Sequence, residues 1–429
     1  MRYETIDKTL YIHNRERFKK ALKPGSMAIF NSNDIMPTNA DGTMPFRQNN
    51  DILHLSGIDQ EESILVIFPD ATLPEHREIL FLKETNDEIA IWEGEKYTRE
   101  AAYEASGIKT VYWLQQFEQV LHALMTDAKH IYLNSNEQSR ANIEVETRDM
   151  RFNKWIQEKY PLHEYERSAP IMHDIRAIKH DIEIQLMQKA CDITESAFRR
   201  VLEFVKPGVN EYEIEAEIIH EFVRNRSRGF AYTPIIASGF NACVLHYIEN
   251  KAECKDGDVL LMDIGAEYAN YAADMSRSIP VNGRYTERQK AVYNAVRRVQ
   301  VESIKMLRPG TLLHEFHKEV GKLMESELIG LGLLDKHDVA KQDPKKPLYK
   351  QFFMHGTSHF IGLDVHDVGD WSKPIQPGMV FTCEPGIYIR EENLGIRLEN
   401  DLVVTDGEPF DLMGNIPIEA DEIEEIMNS

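Results

Sequence analysis

Four acids in the C-terminal half of the chain stand where they could do chemistry together. Asp263 and Asp274 lie in two strand-like runs on either side of a polar turn at residues 267–271. In an antiparallel hairpin, residues that straddle the turn lie opposite or nearly so, on one face. Glu384 and Glu399 straddle Glu391-Glu392 in the same way, between strand-like runs at 380–389 and 396–405. Facing carboxylates repel each other. Four of them on two hairpins make a cage for a divalent cation, or for two that share bridging carboxylates. A single pair would more readily be exposed, or salt-bridged to Arg277 or Arg397. Two pairs inside apolar strands favour a metal.

Between the hairpins lie His355, His359 and His366, three histidines in twelve residues. A lone histidine is usually structural, but an imidazole is the obvious neutral ligand to complete an acid-rich metal site. The helical zinc motif needs Glu directly after the first histidine, and Gly356 stands there instead. His246 lies 17 residues before Asp263, and His366 lies 18 before Glu384. That near-symmetry suggests that both face one cavity. The chain carries no Gly-x-Ser-x-Gly elbow, no phosphate-binding loop and no cysteine with a nucleophile signature.

The elements that would position these groups repeat. Leu186, Ala190, Ile193, Ala197, Val201 and Phe204 recur at helical spacing and stop at Pro207-Gly208. Asn210 with Glu213 reads as a capping box that opens a second helix. Thr286 with Gln289 opens another long helix, which stops at Pro309-Gly310 before a further one. The strands at 257–265 and 378–386 each carry an acid six residues after one glycine and two before another. Helix, Pro-Gly break, helix and acid-bearing strand, twice in order, imply an internal duplication around a central site. The first third instead alternates strand-like runs (26–32, 62–69, 77–84, 130–135) with helical ones (117–128, 142–160). It reads as a small α/β domain ending near Ser168-Ala169-Pro170, with the boundary drawn at 1–172 and 173–429.

Composition bounds the class. A chain of 429 residues is too long for one ordinary core. The net charge of −22 repels phosphate backbones and argues against a nucleic-acid partner. Most of that excess reads as solvated surface. No run approaches the ~20 apolar residues of a membrane helix, and no secretory signal is read at the N-terminus. Cys191, Cys243, Cys254 and Cys383 form neither a disulfide framework nor a thiolate metal site, which suits packing in a reducing cytoplasm.

With these residues in view, the chain resembles the pita-bread metallopeptidases, and among them aminopeptidase P. The resemblance spans nearly the whole chain and is strongest at residues 262–280, 355–369, 384–389 and 396–401. It implies an α/β (α+β) fold: a small N-terminal α/β domain, then a pita-bread catalytic domain with pseudo-two-fold duplication. It implies five metal ligands, Asp263, Asp274, His359, Glu384 and Glu399, and two divalent ions. Manganese comes first, with zinc or cobalt as alternatives. Glu384, His366 and His246 would be catalytic, and His246, His355, His366, Tyr388 and Arg397 would face substrate. The implied reaction is hydrolysis of the N-terminal Xaa-Pro bond of peptides by a metal-activated hydroxide, in a homodimer or homotetramer.

The N-terminal third sharpens this. The run Pro45-Phe46-Arg47-Gln48-Asn49-Asn50-Asp51, then Leu55-Ser56-Gly57, is similar to the aminopeptidase P N-terminal domain and disfavours a prolidase, which cleaves only Xaa-Pro dipeptides. A non-catalytic binding module of the same fold is disfavoured by the intact ligand set. Trp92 resembles a tryptophan that reaches a neighbouring subunit's active site in tetrameric relatives; ordinary packing is the alternative. Asn400 stands where relatives often have Asp, and the connection at 390–395 is shorter than in some of them.

Overall fold

Ser26–Asn31 is buried along its whole length, as expected of a strand covered on both faces. In a computed structural model of the chain, which describes residues 3–429, this segment is β1 of a six-stranded sheet. The others are β2 (Ile64–Ile67), β3 (Glu78–Leu82), β4 (Thr110–Trp113), β5 (His130–Leu133) and β6 (Glu164–Arg167), in the order β4-β3-β2-β1-β5-β6. Strand periodicity sorts the core. Ala28 and Phe30 pack with Phe18, Leu65 and Leu80 on one face, while Met27 and Ile29 pack with Val66, Phe81 and Leu121 on the other. Each large apolar side chain so buried contributes about 1.5–3 kcal/mol.

Strands β1, β2, β3 and β5 lie within the expected runs. Two edge strands fall outside the expected runs: β6, Glu164-Tyr165-Glu166-Arg167, carries too little apolar signal to be read, whereas β4, Thr110-Val111-Tyr112-Trp113, is rich in strand-forming residues and is legible in the sequence. The helix expected from residue 142 starts at Arg148, because the Thr147 side chain caps it by accepting the Met150 N–H. Pro170 sits in the first turn of a helix, Ala169–Ala177, where its missing N–H costs nothing. The boundary drawn at 172/173 falls inside that helix, and the chain divides into compact units of residues 4–176 and 177–429.

The second unit repeats itself. Helices Asp181–Phe204 and Glu211–Arg224 precede β7 (Ile235–Ser238), β8 (Val259–Ile264), β9 (Glu267–Tyr268), β10 (Tyr271–Ala272) and β11 (Met275–Pro280). Helices Glu287–Ile304 and Leu313–Gly330 precede β12 (Val380–Cys383), β13 (Gly386–Ile389), β14 (Leu394–Arg397), β15 (Asn400–Val403) and β16 (Phe410–Asp411). The breaks match in conformation: Gly208 and Gly310 have φ of 93° and 91°, and Gly257 and Gly378 have 86° and 85°. Only glycine takes such values without strain. No helix among the described residues is long and apolar enough to cross a membrane.

Candidate active site

The first acid pair rides on the β8–β11 hairpin. Ala269 and Asn270, both at positive φ (53° and 70°), make its two-residue turn. The register pairs Asp263 with Ser276 and Ile264 with Met275, which leaves Asp274 across from Gly265. The two acids are therefore diagonal neighbours on one face, not directly opposed. Gly265 is required here, because a Cβ would lie 1.7 Å from the Ala273 carbonyl oxygen.

The second pair is directly opposed. β12 pairs Cys383 with Asn400 and β13 pairs Gly386 with Arg397, so Glu384 faces Glu399 across the gap between the ladders. The runs expected as continuous strands break here, for a physical reason. Pro385 has no N–H to give the ladder. The acids also turn their own N–H groups outward, Glu384 to the Thr357 carbonyl (2.8 Å) and Glu399 to the Ser276 carbonyl (3.1 Å). The latter bond joins the two hairpins. The Ser276 hydroxyl adds to the joint: it donates to Glu399 Oε2 (2.7 Å) and accepts from Arg397 Nε (2.8 Å).

Asp274, His359 and Glu399 are buried, with one ligand atom from each within 4.8 Å of the others. His359 Nδ1–H donates to the Phe360 carbonyl (2.9 Å), which leaves the Nε2 lone pair facing inward. That lone pair lies 3.4 Å from Asp274 Oδ2 and 3.7 Å from Glu384 Oε1. An imidazole nitrogen and carboxylate oxygens gathered this closely make a donor set that a cation could occupy. Burial, reinforced by repulsion from Asp263, pushes the Asp274 carboxyl well above its ordinary range, and burial with Asp274 does the same to Glu399. The donor set of buried carboxylates and one imidazole suits a hard or borderline divalent ion.

Asp263 has a cationic partner. Arg397 Nη2 donates to its Oδ2 (2.5 Å), so a salt bridge and a ligand cluster coexist. Arg397 Nη1 donates to the Tyr388 hydroxyl (2.9 Å), which lies 2.8 Å from His355 Nε2. His355 Nδ1–H donates to the Gly356 carbonyl (2.7 Å), so Nε2 accepts from Tyr388. Burial, then the charge of Arg397, lowers the His355 pKa to about 3, and the ring stays neutral. The His366 ring stands edge-on to His359 with centroids 4.5 Å apart. His246 is exposed and lies close enough to His355 to disfavour its protonation. The Arg277 expected as a carboxylate partner instead donates to the Glu399 carbonyl (2.7 Å) and to Asn400 Oδ1 (2.8 Å).

Sequence reasoning missed two groups. The Tyr232 hydroxyl lies 2.6 Å from both Asp263 Oδ1 and Asp274 Oδ1, and with one proton it donates to one at a time. Asp401, fully buried, accepts the Asp274 N–H (3.0 Å). Asp401 was legible as an acid two residues past Glu399, whereas nothing local marks Tyr232. Trp92 is 84% exposed, on a short helix with no buried residue, so it does not serve as ordinary packing.

Two hairpins that gather buried acids around an inward imidazole, on duplicated halves, make a candidate site for a divalent ion. Residues 185–406 match metallopeptidase family M24, and the chain belongs to that family, which makes it a metal-dependent hydrolase with a pita-bread catalytic domain. Residues 11–132 match the N-terminal domain of aminopeptidase P. The chain is 34% identical to an Xaa-Pro aminopeptidase of Escherichia coli, with 98% of each chain covered. It is 31% identical to human Xaa-Pro aminopeptidase 3 over 92% of this chain and 78% of that one. Among solved structures it resembles Pseudomonas aeruginosa aminopeptidase PepP (TM-score 0.89, 30% identity, 99% and 98% covered). It also resembles zinc-substituted E. coli aminopeptidase P in complex with product (TM-score 0.87, 32% identity, 99% of each covered).

Proposed function

We propose that this chain is an Xaa-Pro aminopeptidase that releases the first residue of peptides whose second residue is proline. The observation that carries the reading is the inward Nε2 of His359 facing the oxygens of Asp274 and Glu384. Full-length likeness to Xaa-Pro aminopeptidases supports the specificity. The five residues Asp263, Asp274, His359, Glu384 and Glu399 would hold two divalent ions, manganese first. Asp274 and Glu399 come one from each hairpin. Bound there, the ions supply the Lewis acidity that makes a water nucleophilic near neutral pH.

The chain's own groups do the rest. Glu384 is half-buried and reaches the cluster with one oxygen, so it can take the proton of the attacking water and return it to the proline nitrogen as the C–N bond breaks. His366, edge-on to His359, and His246, near His355, would donate hydrogen bonds to the developing oxyanion. His355, Tyr388 and Arg397 hold one another in a hydrogen-bonded row beside Asp263 and would orient the peptide.

The division at residues 1–172 and 173–429 is part of the same reading. So is a cytoplasmic location, which four unpaired buried cysteines support. A homodimer or homotetramer is supported by Ile91 and Trp92, exposed at 80% and 84% on one short helix. The test uses metal-stripped protein, with and without Mn²⁺, on an Xaa-Pro-Yaa tripeptide, its Xaa-Ala-Yaa counterpart and an Xaa-Pro dipeptide. Manganese-dependent release from the proline tripeptide alone is expected. Cleavage of the dipeptide alone would replace the reading with a prolidase.

A further inference from the structure

An arch of chain, residues 239–251, leads out of β7 and returns before β8. It carries exposed His246, near enough to His355 to disfavour its protonation, and exposed Phe240, Val244 and Ile248. Its inner side packs on the site: Ala242, Cys243, Leu245 and Tyr247 join Ile235, Leu261 and Tyr388 in one apolar cluster. The fit over β14 is close, since a Cβ on Gly395 would lie 2.2 Å from the Ala242 carbonyl oxygen.

One side chain ties this arch down. Glu211, the first residue of its helix, is fully buried, and both of its carboxylate oxygens are occupied. Oε1 accepts from the Ser238 N–H (2.8 Å) and Asn241 Nδ2 (3.2 Å), at the start of the arch. Oε2 accepts from the Tyr247 hydroxyl (2.7 Å), next to His246, and from the Ala252 N–H (2.8 Å), where the arch closes. Charge-assisted bonds to a buried carboxylate are the strong kind, and four of them converge from the start, crown and end of one segment.

We infer that Glu211 is a positioning residue that sets the arch and so presents His246 to the bound peptide. It touches neither metal nor substrate and acts through His246. The inference rests on the substrate-side reading of His246. It predicts that the benefit of Glu211 exists only while His246 is present.

The test is a double-mutant cycle on the manganese-loaded, full-length enzyme with an Xaa-Pro tripeptide. Glu211→Gln and Tyr247→Phe are each made with His246 and with His246→Ala. Glu211→Gln is expected to lower kcat/KM about tenfold, and Tyr247→Phe about threefold, mainly through KM. In the His246→Ala background each should change kcat/KM by less than about twofold. Equal fold-losses in both backgrounds would make Glu211 a fold stabiliser and overturn the inference. Tyr247→Phe removes one of the four bonds and keeps the ring, so it decides the matter if Glu211→Gln does not fold. An unchanged kcat/KM for His246→Ala alone would refute the substrate-side reading, visibly in that single variant, and the inference with it.

Discussion

Glu384 and Glu399 face each other across the β12–β15 hairpin, and each breaks the ladder by giving its backbone N–H to another segment. Glu384 is thereby tied to Thr357, in the histidine loop, and Glu399 to Ser276, on the other hairpin. Two like charges are thus held close by backbone bonds that do not depend on their side chains. Folding places the acids, and a cation bound there would relieve their repulsion.

Glu384→Gln should keep this backbone pattern while removing the proton carrier. We expect kcat on an Xaa-Pro tripeptide to fall by about 10²–10⁴. Activity measured alongside metal content checks this, and near-normal turnover with metal bound would exclude the proton-transfer role.

Metal removal should make stability depend on pH. Burial raises the folded-state pKa values of Asp274 and Glu399, reinforced by repulsion from Asp263 on the first and from Asp274 on the second. Above the ordinary carboxylate pKa of about 4, the folded metal-free chain therefore binds more protons than the unfolded chain. Its stability is greatest below that pKa and falls as pH rises toward the raised values. Thermal midpoints of metal-stripped protein should drop from about pH 5 to pH 8, and added Mn²⁺ should restore them most at pH 8. A flat metal-free profile would show that these acids carry no such strain.

Tyr232→Phe removes the hydroxyl shared by Asp263 and Asp274. Outer hydrogen bonds of this kind orient metal ligands, and their loss costs about 10–100-fold in affinity. A manganese titration followed by activity should shift by that factor, and the metal-free protein, with a buried carboxylate left short of a donor, should lose about 1–3 kcal/mol of stability.

Asn400→Asp tests the departure from relatives. Asn400 accepts from Arg277 Nη2 (2.8 Å) and donates through Nδ2 to Asp411 Oδ2 (2.7 Å). An aspartate keeps the first bond, loses the second and faces Asp411 with like charge. Destabilisation of about 1–3 kcal/mol is expected in denaturant unfolding at pH 7.

In the N-terminal unit, burial raises the Asp149 pKa from 3.8 to about 7, although Asn31 donates to it (3.0 Å). A raised folded pKa means stability that is full below pH 3.8 and declines as pH rises toward 7. Asp149→Asn should flatten that decline, and the pH dependence of the unfolding midpoint of this unit measures it.

Much of this molecule was legible in the residues alone. Asp263, Asp274, Glu384 and Glu399 stood out because acids inside apolar strands are costly and need a partner. The duplication was legible because Pro207-Gly208 and Pro309-Gly310 punctuate like patterns, and the hairpins because turn residues sit midway between acids. Local chemistry of that kind is carried by neighbours in sequence. What the tertiary structure alone decided is which distant groups meet. The diagonal offset of Asp263 and Asp274 depends on a turn at Ala269-Asn270 and on the close approach at Gly265. The hydroxyl of Tyr232 on those acids, and the carboxylate of Glu211 beneath the arch of His246, join residues with no shared pattern. Hydrogen bonds between side chains far apart in sequence leave no periodic trace, because their geometry exists only once the sheet and helices have packed.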